Sequence, residues 1–370
     1  MGLQKIILNI VLKIEAFFIS FFKIKNNRIT FISLEADHLV SDFLKIYQQL
    51  PQEDYDIRLC LIHYHKNLWG QFLYFINCMK QLYYVYTSRI IFLHDNNYVV
   101  SHFKREGVQV IQVWHACGAI KKFGNVIERQ YPIRNYDYVL ATSLFWKEPY
   151  HQAFSVDANH VLPIGLPRTD ELFDQEWIEK KKLELYHKYP SLKNKKVILY
   201  APTFRGNIYI GFSAIEFDAK KIMDCLGHDY VLIYKFHPLM GNYMLGDGDS
   251  IINMNHEDTH ELFCISDYLI SDYSSIVFDF MILEKPILFY VPDLEQYSKD
   301  LGVFVDIREL GYPVCYSEKE AVQAIQSNWQ DTHILKTTKN RFFDIQDGKS
   351  TLRVKQLVEK LCGMENDENE

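Results

Sequence analysis

The sequence predicts an α/β protein made of two doubly wound, Rossmann-like halves, and three observations lead there. Nine short runs rich in Val, Ile, Leu and Tyr recur along the chain with helix-length segments between them. Several of those runs are continuously apolar rather than alternating, as parallel strands covered on both faces must be. Between Gly165 and Lys196 the chain turns charged and helical in period with no strand-like run, which sets a joint between the halves. A length of 370 residues suits two domains.

In order, the strand-like runs are Ile29 to Leu34, Ile57 to Ile62, Arg89 to Leu93, Val108 to Trp114 and Tyr138 to Thr142 in the first half. Lys196 to Ala201, Tyr230 to Phe236, Tyr268 to Ser271 and Pro286 to Tyr290 follow in the second, which a helix near Ser350 to Leu361 closes. The expected boundaries are an amphipathic helix over 1–28, a Rossmann-like domain over 29–180, a second over 181–345, and a C-terminal helix with an acidic tail over 346–370. In open sheets of this kind ligands bind at the carboxyl ends of the strands.

Residues 6–22 form the most apolar run, but Lys13 and Glu15 in its middle make a spanning helix costly, at about 2.5–3.5 kcal/mol per central charge. Lys5, Asn9, Lys13, Ala16 and Ser20 fall on one narrow polar stripe of a helical wheel. Such a helix either lies in a membrane interface, with Lys23, Lys25 and Arg28 beside acidic lipid heads, or packs on the first domain. Glu15 falls on the apolar side and weighs against the membrane version.

A hydrophobic fraction of 48% excludes a disordered chain, and seven scattered cysteines without a CxxC pair fit neither a disulfide framework nor a zinc ribbon. No small-residue cleavage site follows the apolar start, so a signal peptide is not indicated and the reducing cytoplasm is expected. Four of the seven net negative charges sit in the last six residues. The remaining body carries no basic field for nucleic acid.

Four segments at strand ends carry chemistry. WHACGAIKKFG (Trp114 to Gly124) sets His115 on a strand-to-loop turn before two lysines, either a general base near an anion or a structural histidine. YAPTFR ends a strand with Thr203 and Arg205, a hydroxyl and a forked cation suited to phosphate. KFHP places His237 at another strand end. SDYSSIVFDF runs from a strand through Ser274 and Ser275 into a helix start, either an anion site or plain N-capping, with Asp279 one turn in as a hydroxyl acceptor or a solvent-facing residue.

Other motifs are discounted. No GxGxxG or GxxxxGK[ST] joins a strand to a helix. His63-Tyr64-His65 offers two ligands, too few for a metal, and HEDTH (His256 to His260) straddles a helix start instead of lying within a helix as a zincin requires. Cys117 near His115 is a weak indication of a thiol nucleophile.

Taken with GLPRTD (Gly165 to Asp170) and KPILFYVPDLEQYSKDLGVFVD (Lys285 to Asp306), the four segments resemble the CDP-glycerol glycerophosphotransferase family of bacterial teichoic acid and capsule synthesis, in the family's order. The resemblance implies a GT-B fold, with an acceptor-side domain followed by a CDP-polyol domain facing a cleft, and no cofactor or metal. It makes His115 the base that deprotonates the acceptor hydroxyl. It assigns Trp114, Gly118, Arg168, Thr203, Arg205, His237, Ser274, Ser275 and Asp279 to the donor. It implies transfer of glycerol phosphate or ribitol phosphate from CDP-glycerol or CDP-ribitol to a lipid-linked acceptor, releasing CMP, at the cytoplasmic face of the membrane. A sugar-nucleotide glycosyltransferase and a non-catalytic membrane-associated subunit are the competing readings. Where many members read WHGTP, this chain has Ala116-Cys117-Gly118, which leaves polyol identity open.

Overall fold

The computed structural model describes residues 3–64, 67–207, 211–237, 240, 243–246 and 248–363. His65, Pro238 and the acidic tail therefore lie outside the described residues. Two compact units emerge, one comprising 1–115, 123–170 and 349–370, the other 116–122 and 171–348.

The first unit holds a six-stranded, wholly parallel sheet in the order β2-β1-β3-β4-β5-β6. Its strands are β1 (Lys25–Ser33), β2 (Asp56–Leu61), β3 (Ser88–Leu93), β4 (Gln109–Gln112), β5 (Tyr138–Leu140) and β6 (Val161–Leu162). Its helices are α1 (Leu3–Ile19), α2 (Ser41–Gln49), α3 (Leu68–Thr87), α4 (Tyr98–Phe103) and α5 (Lys147–Phe154). Ile29, Phe31, Ile90, Phe92, Val110 and Ile111 are fully buried, which is why these runs carry no polar alternation.

The second unit repeats the plan in the order β11-β10-β7-β12-β13-β14, again all parallel, with a separate hairpin. Its strands are β7 (Lys196–Tyr200), β8 (Arg205–Asn207), β9 (Gly211–Ser213), β10 (Tyr230–Tyr234), β11 (Ile251–Asn253), β12 (Tyr268–Ser271), β13 (Ile287–Tyr290) and β14 (Val314–Cys315). The helices are α6 (Gln175–Lys188), α7 (Ala219–Leu226), α8 (Thr259–Ile265), α9 (Ile276–Met281), α10 (Leu294–Leu301), α11 (Glu318–Gln326) and α12 (Thr332–Phe342). Tyr200, Tyr234, Ile198 and Ile270 centre one core cluster.

The last helix, α13 (Ser350–Cys362), packs on α2 and β3 of the first unit instead of closing the second half, as the sequence order suggested. GLPRTD is what holds it. The Asp170 carboxylate accepts from Ser350 N (2.8 Å), Thr351 N (2.8 Å) and Thr351 Oγ1 (2.6 Å), capping the first turn. Gly165, at φ +86°, lies so close to Ser350 that a Cβ there would meet its Oγ at 2.2 Å.

Helix α1 buries Leu8, Leu12 and Ile19 against the fold, with α3 beside it. Glu15 lies on this inward stripe, spaced i, i+3, i+7 from Leu12, and burial pushes its carboxyl up to about 7. The outward face presents Ile10, Ile14, Phe17, Phe18 and Phe21, so Glu15 does not interrupt it. Arg28, by contrast, is buried on the Asp56 carboxylate (2.8 Å) and is not a headgroup contact. Among the described residues no helix is long and apolar enough to cross a membrane.

Candidate active site

In the first unit the chemistry gathers where β1, β3 and β4 end. Trp114 follows β4 in the left-handed region at φ +63°, a costly conformation for a bulky side chain at roughly 1–2 kcal/mol. It is held there by Gln112 Oε1, which accepts from Trp114 N (2.9 Å), and by its ring stacked on Phe123 at 4.8 Å with Phe154 edge-on at 5.2 Å. The Trp114 ring is thus packed in the interior and not placed as a donor contact. The turn directs the next side chain outward, and His115 keeps 40% of its surface open.

His115 Nδ1 lies 3.4 Å from the His94 carbonyl oxygen and 3.5 Å from Glu35 Oε1. Both neighbours only accept, so Nδ1 carries the proton and Nε2 holds the free lone pair. Glu35 Oε2 stands 3.4 Å from His94 Nδ1, and one carboxylate thereby spans two imidazoles. Crowding by the surrounding protein pushes His115 down to about 4 against the opposing pull of Glu35, leaving it neutral near pH 7. His94 is buried, which works against its charged form, but Glu35 and Asp42 outweigh that and raise its pKa. Asp95, fully enclosed, is pushed up to about 6.

Arg168 belongs to this cluster. Its Nη1 donates to the His115 carbonyl (2.6 Å) and its backbone N–H to Asp42 (2.7 Å). Glu35, His94 and Asp42 escaped the sequence reading because none sits in a motif. The signal available was position, since Glu35 and His94 follow β1 and β3 as His115 follows β4.

In the second unit a recess of about 140 Å3 opens beyond β7, β10 and β12, lined by Thr203, Lys235, His237, Thr259 and Ser274 among others. It is smaller than the roughly 300–1,000 Å3 of whole-ligand pockets and fits a subsite. Lys235 donates to the Asn255 (3.0 Å) and Glu257 (2.6 Å) carbonyls, and burial lowers its pKa. His237 is exposed, its ring 5.2 Å from Phe204. Ser275 makes no side-chain cap bond, so simple N-capping is not its part, and α9 extends only six residues beyond it. Gly118 is buried in the 116–122 loop, stitched down by Phe304 N donating to Ile120 O (2.7 Å).

Besides Trp114, two donor residues read from sequence are placed differently. The Arg205 guanidinium is committed to carboxylates, with Nε on Asp293 (2.8 Å), Nη2 also on Asp293 (3.2 Å) and Nη1 on Asp272 (2.8 Å), over the stacked rings of Tyr273 and Tyr297. Desolvation opposes its charge, yet the two carboxylates hold its pKa above the usual range. The fork thus acts as an internal clamp and is not presented to phosphate. Asp279 neither meets solvent nor lines the recess. It is buried, 3.8 Å from His260 Nε2, whose Nδ1 meets Glu171 at 2.9 Å. His256 sits on Tyr189 Oη (2.9 Å), away from that pair, and α8 starts only at Thr259, so HEDTH is two separate polar contacts. Cys117 is buried.

Two six-stranded Rossmann-like units, one ending in a carboxylate-bridged histidine and the other in a hydroxyl- and cation-lined recess, define a GT-B-type group transferase. The wall teichoic acid polymerase TagF has the same fold, with a TM-score of 0.72 over 97% of each chain at 22% identity. A teichoic acid ribitol-phosphate primase of Bacillus spizizenii is 32% identical over 359 residues, 90% of this chain and 91% of that one. A teichoic acid glycerol-phosphate primase of Bacillus subtilis is 30% identical over 303 residues, 77% of each chain. The model of the CDP-glycerol:poly(glycerophosphate) glycerophosphotransferase family matches residues 14–360. The chain belongs to that family, and is an enzyme of polyol-phosphate transfer.

Proposed function

We propose that the enzyme transfers ribitol phosphate or glycerol phosphate from the CDP-polyol to a hydroxyl of a lipid-linked teichoic acid or capsule precursor, with His115 as general base. The observation that carries this reading is the placing of His115, outward-facing after β4 with Nδ1 turned to the His94 carbonyl and the Glu35 carboxylate, an arrangement that favours the proton on Nδ1 and leaves Nε2 as the basic nitrogen. Nε2 takes the acceptor's hydroxyl proton, the oxygen attacks the β-phosphorus, and the phosphoanhydride bond to CMP breaks. Such a transfer needs positioning and charge stabilisation more than covalent help. Arg168 adds positive charge beside the base, and Thr203, Lys235, His237 and Ser274 supply hydroxyls and cations for the donor phosphates.

Peripheral attachment at the cytoplasmic face of the membrane fits this substrate. The outward side of α1 lies beside Leu68, Trp69, Phe72, Leu73 and Ile76 of α3, all exposed, and clustered exposed apolar side chains of this kind suit a membrane surface.

The test is nucleotide release with lipid-linked acceptor from CDP-ribitol, CDP-glycerol and common sugar nucleotides. CMP is expected from at least one CDP-polyol, and His115→Ala should lower that turnover about a hundredfold with donor affinity kept. A nucleoside diphosphate from a sugar nucleotide, with no CMP, would replace this reading with glycosyl transfer.

A further inference from the structure

We infer that the groove bounded by α1, α3 and α4 in the first unit is a saccharide site that seats the sugar portion of the acceptor; the acceptor clause rests on the function proposed above. The groove measures about 630 Å3, within the range of small-molecule sites. Its walls combine ring faces with polar edges, Tyr64, Tyr98, Tyr131 and Phe72 beside the amides of Gln71 and Gln130, while Ile7, Leu8, Leu68 and Phe75 also line it.

That lining selects among ligand classes. A sugar has C–H faces and hydroxyl edges, which rings and amides match together. An alkyl chain would satisfy the rings but strip water from the Gln71 and Gln130 amides, at about 1–3 kcal/mol for each group left unpaired. A polyanionic chain would find a single cation among the described lining residues, Lys5, already over the Tyr98 ring at 5.5 Å and donating to the Gln130 carbonyl at 3.5 Å. A neutral polyhydroxyl group is the class that fits.

Position supports the same assignment. On one side Ile7, Leu68 and Phe72 belong to the exposed apolar face of α1 and α3. On the other, Tyr131 Oη donates to the Asn96 carbonyl (3.2 Å), two residues from His94, and Tyr64 N donates to the Leu34 carbonyl (3.1 Å), next to Glu35. A molecule with an apolar anchor and a sugar head can therefore lie with the anchor outside, the sugar in the groove and a hydroxyl near the histidine cluster, all within one unit.

Saturation-transfer NMR on the full chain tests this with cellobiose, maltose and N,N′-diacetylchitobiose, decanol as the alkyl probe and glycerol 3-phosphate as the anion. Transfer to at least one disaccharide is expected, and Gln71→Trp, which fills the groove from its rim, should abolish it. Gln130→Ala on the opposite rim should weaken it if the indole proves disruptive. In turnover, Gln71→Trp should raise KM for a saccharide-bearing lipid acceptor at least about tenfold with KM for the CDP-polyol unchanged. Transfer to decanol but to no disaccharide, or an unaltered acceptor KM in Gln71→Trp, overturns the inference. Disaccharide binding without CMP release from any CDP-polyol rejects the reaction and keeps the groove; CMP release without disaccharide binding does the opposite.

Discussion

Glu35→Gln removes one charge and little volume, and its effect follows from the geometry around His115. At the 3.5 Å between Glu35 Oε1 and His115 Nδ1, a unit pair is worth about 1 kcal/mol in water and about 5 kcal/mol at an effective dielectric of 20. With 47% of Glu35 and 40% of His115 open to solvent, the watery end applies, and about 1–1.5 kcal/mol is the working figure. Glu35 favours the imidazolium, so its loss lowers the His115 pKa by about one unit. As a proton acceptor His115 is active above its pKa, so the acid limb of kcat/KM should move to lower pH, not higher. The same charge stabilises the imidazolium as it forms, so kcat on the plateau should fall about tenfold. CMP release across pH 3.5–8 reads both effects, and an imidazole 15N titration reads the pKa directly. Glu35→Asp should restore part of kcat. An acid limb that moves upward, or a plateau unchanged in Glu35→Gln, would refute the bridge.

Two further outcomes follow from the second unit and from α1. Arg205→Ala should cost about 3 kcal/mol of stability, because it strands the fully buried Asp272, and chemical denaturation should show that loss even without donor; a variant of wild-type stability with only a raised donor KM would return Arg205 to the phosphate. Phe17→Asp with Phe21→Asp should abolish co-flotation with anionic liposomes while leaving the melting temperature within a few degrees, since both rings are largely exposed; equal flotation would make the apolar face unrelated to membranes.

Much of the fold was legible because a parallel strand buried on both faces cannot hide its composition. Each of the nine apolar runs overlaps a strand. What escaped were β6, β11 and β14 at sheet edges and the hairpin strands β8 and β9, each two or three residues long, where so short a run leaves no pattern. The candidate site was legible where its residues sit in one segment, as with His115, which the structure leaves exposed after β4, and Thr203 and Ser274, which it places in the recess. It was illegible where a partner comes from far away. Arg205 reads as an open cation until Asp272 and Asp293, 67 and 88 residues on, close over it. Glu35 and His94 read as single residues until the order β2-β1-β3-β4 brings their strand ends together. A positional search would have found them: any titratable residue within three positions of a strand's carboxyl end qualifies Glu35, His94 and His115 alike.

The motif around His115 also shows why a contiguous stretch need not be a single site. The chain leaves the first unit after His115 and returns at Phe123, so WHACGAIKKFG supplies its histidine and Gly124 to one unit and Gly118, Lys121 and Lys122 to the other. The two parts are fixed by separate means. Trp114 is wedged between Phe123 and Phe154 in the first unit, while Lys122 N donates to Gly302 O (3.1 Å) in the second. The left-handed turn at Trp114 lies within the first unit, and its cost is borne by the buried indole, whose packing is worth about 3–5 kcal/mol by the usual loss on truncation to alanine. A glycine at 114 would adopt the turn without strain but would release the ring that fixes it. That is the physical reason for a tryptophan where backbone preference alone asks for glycine: the strain is small beside the packing that enforces it, and the product is an outward His115 between two buried neighbours.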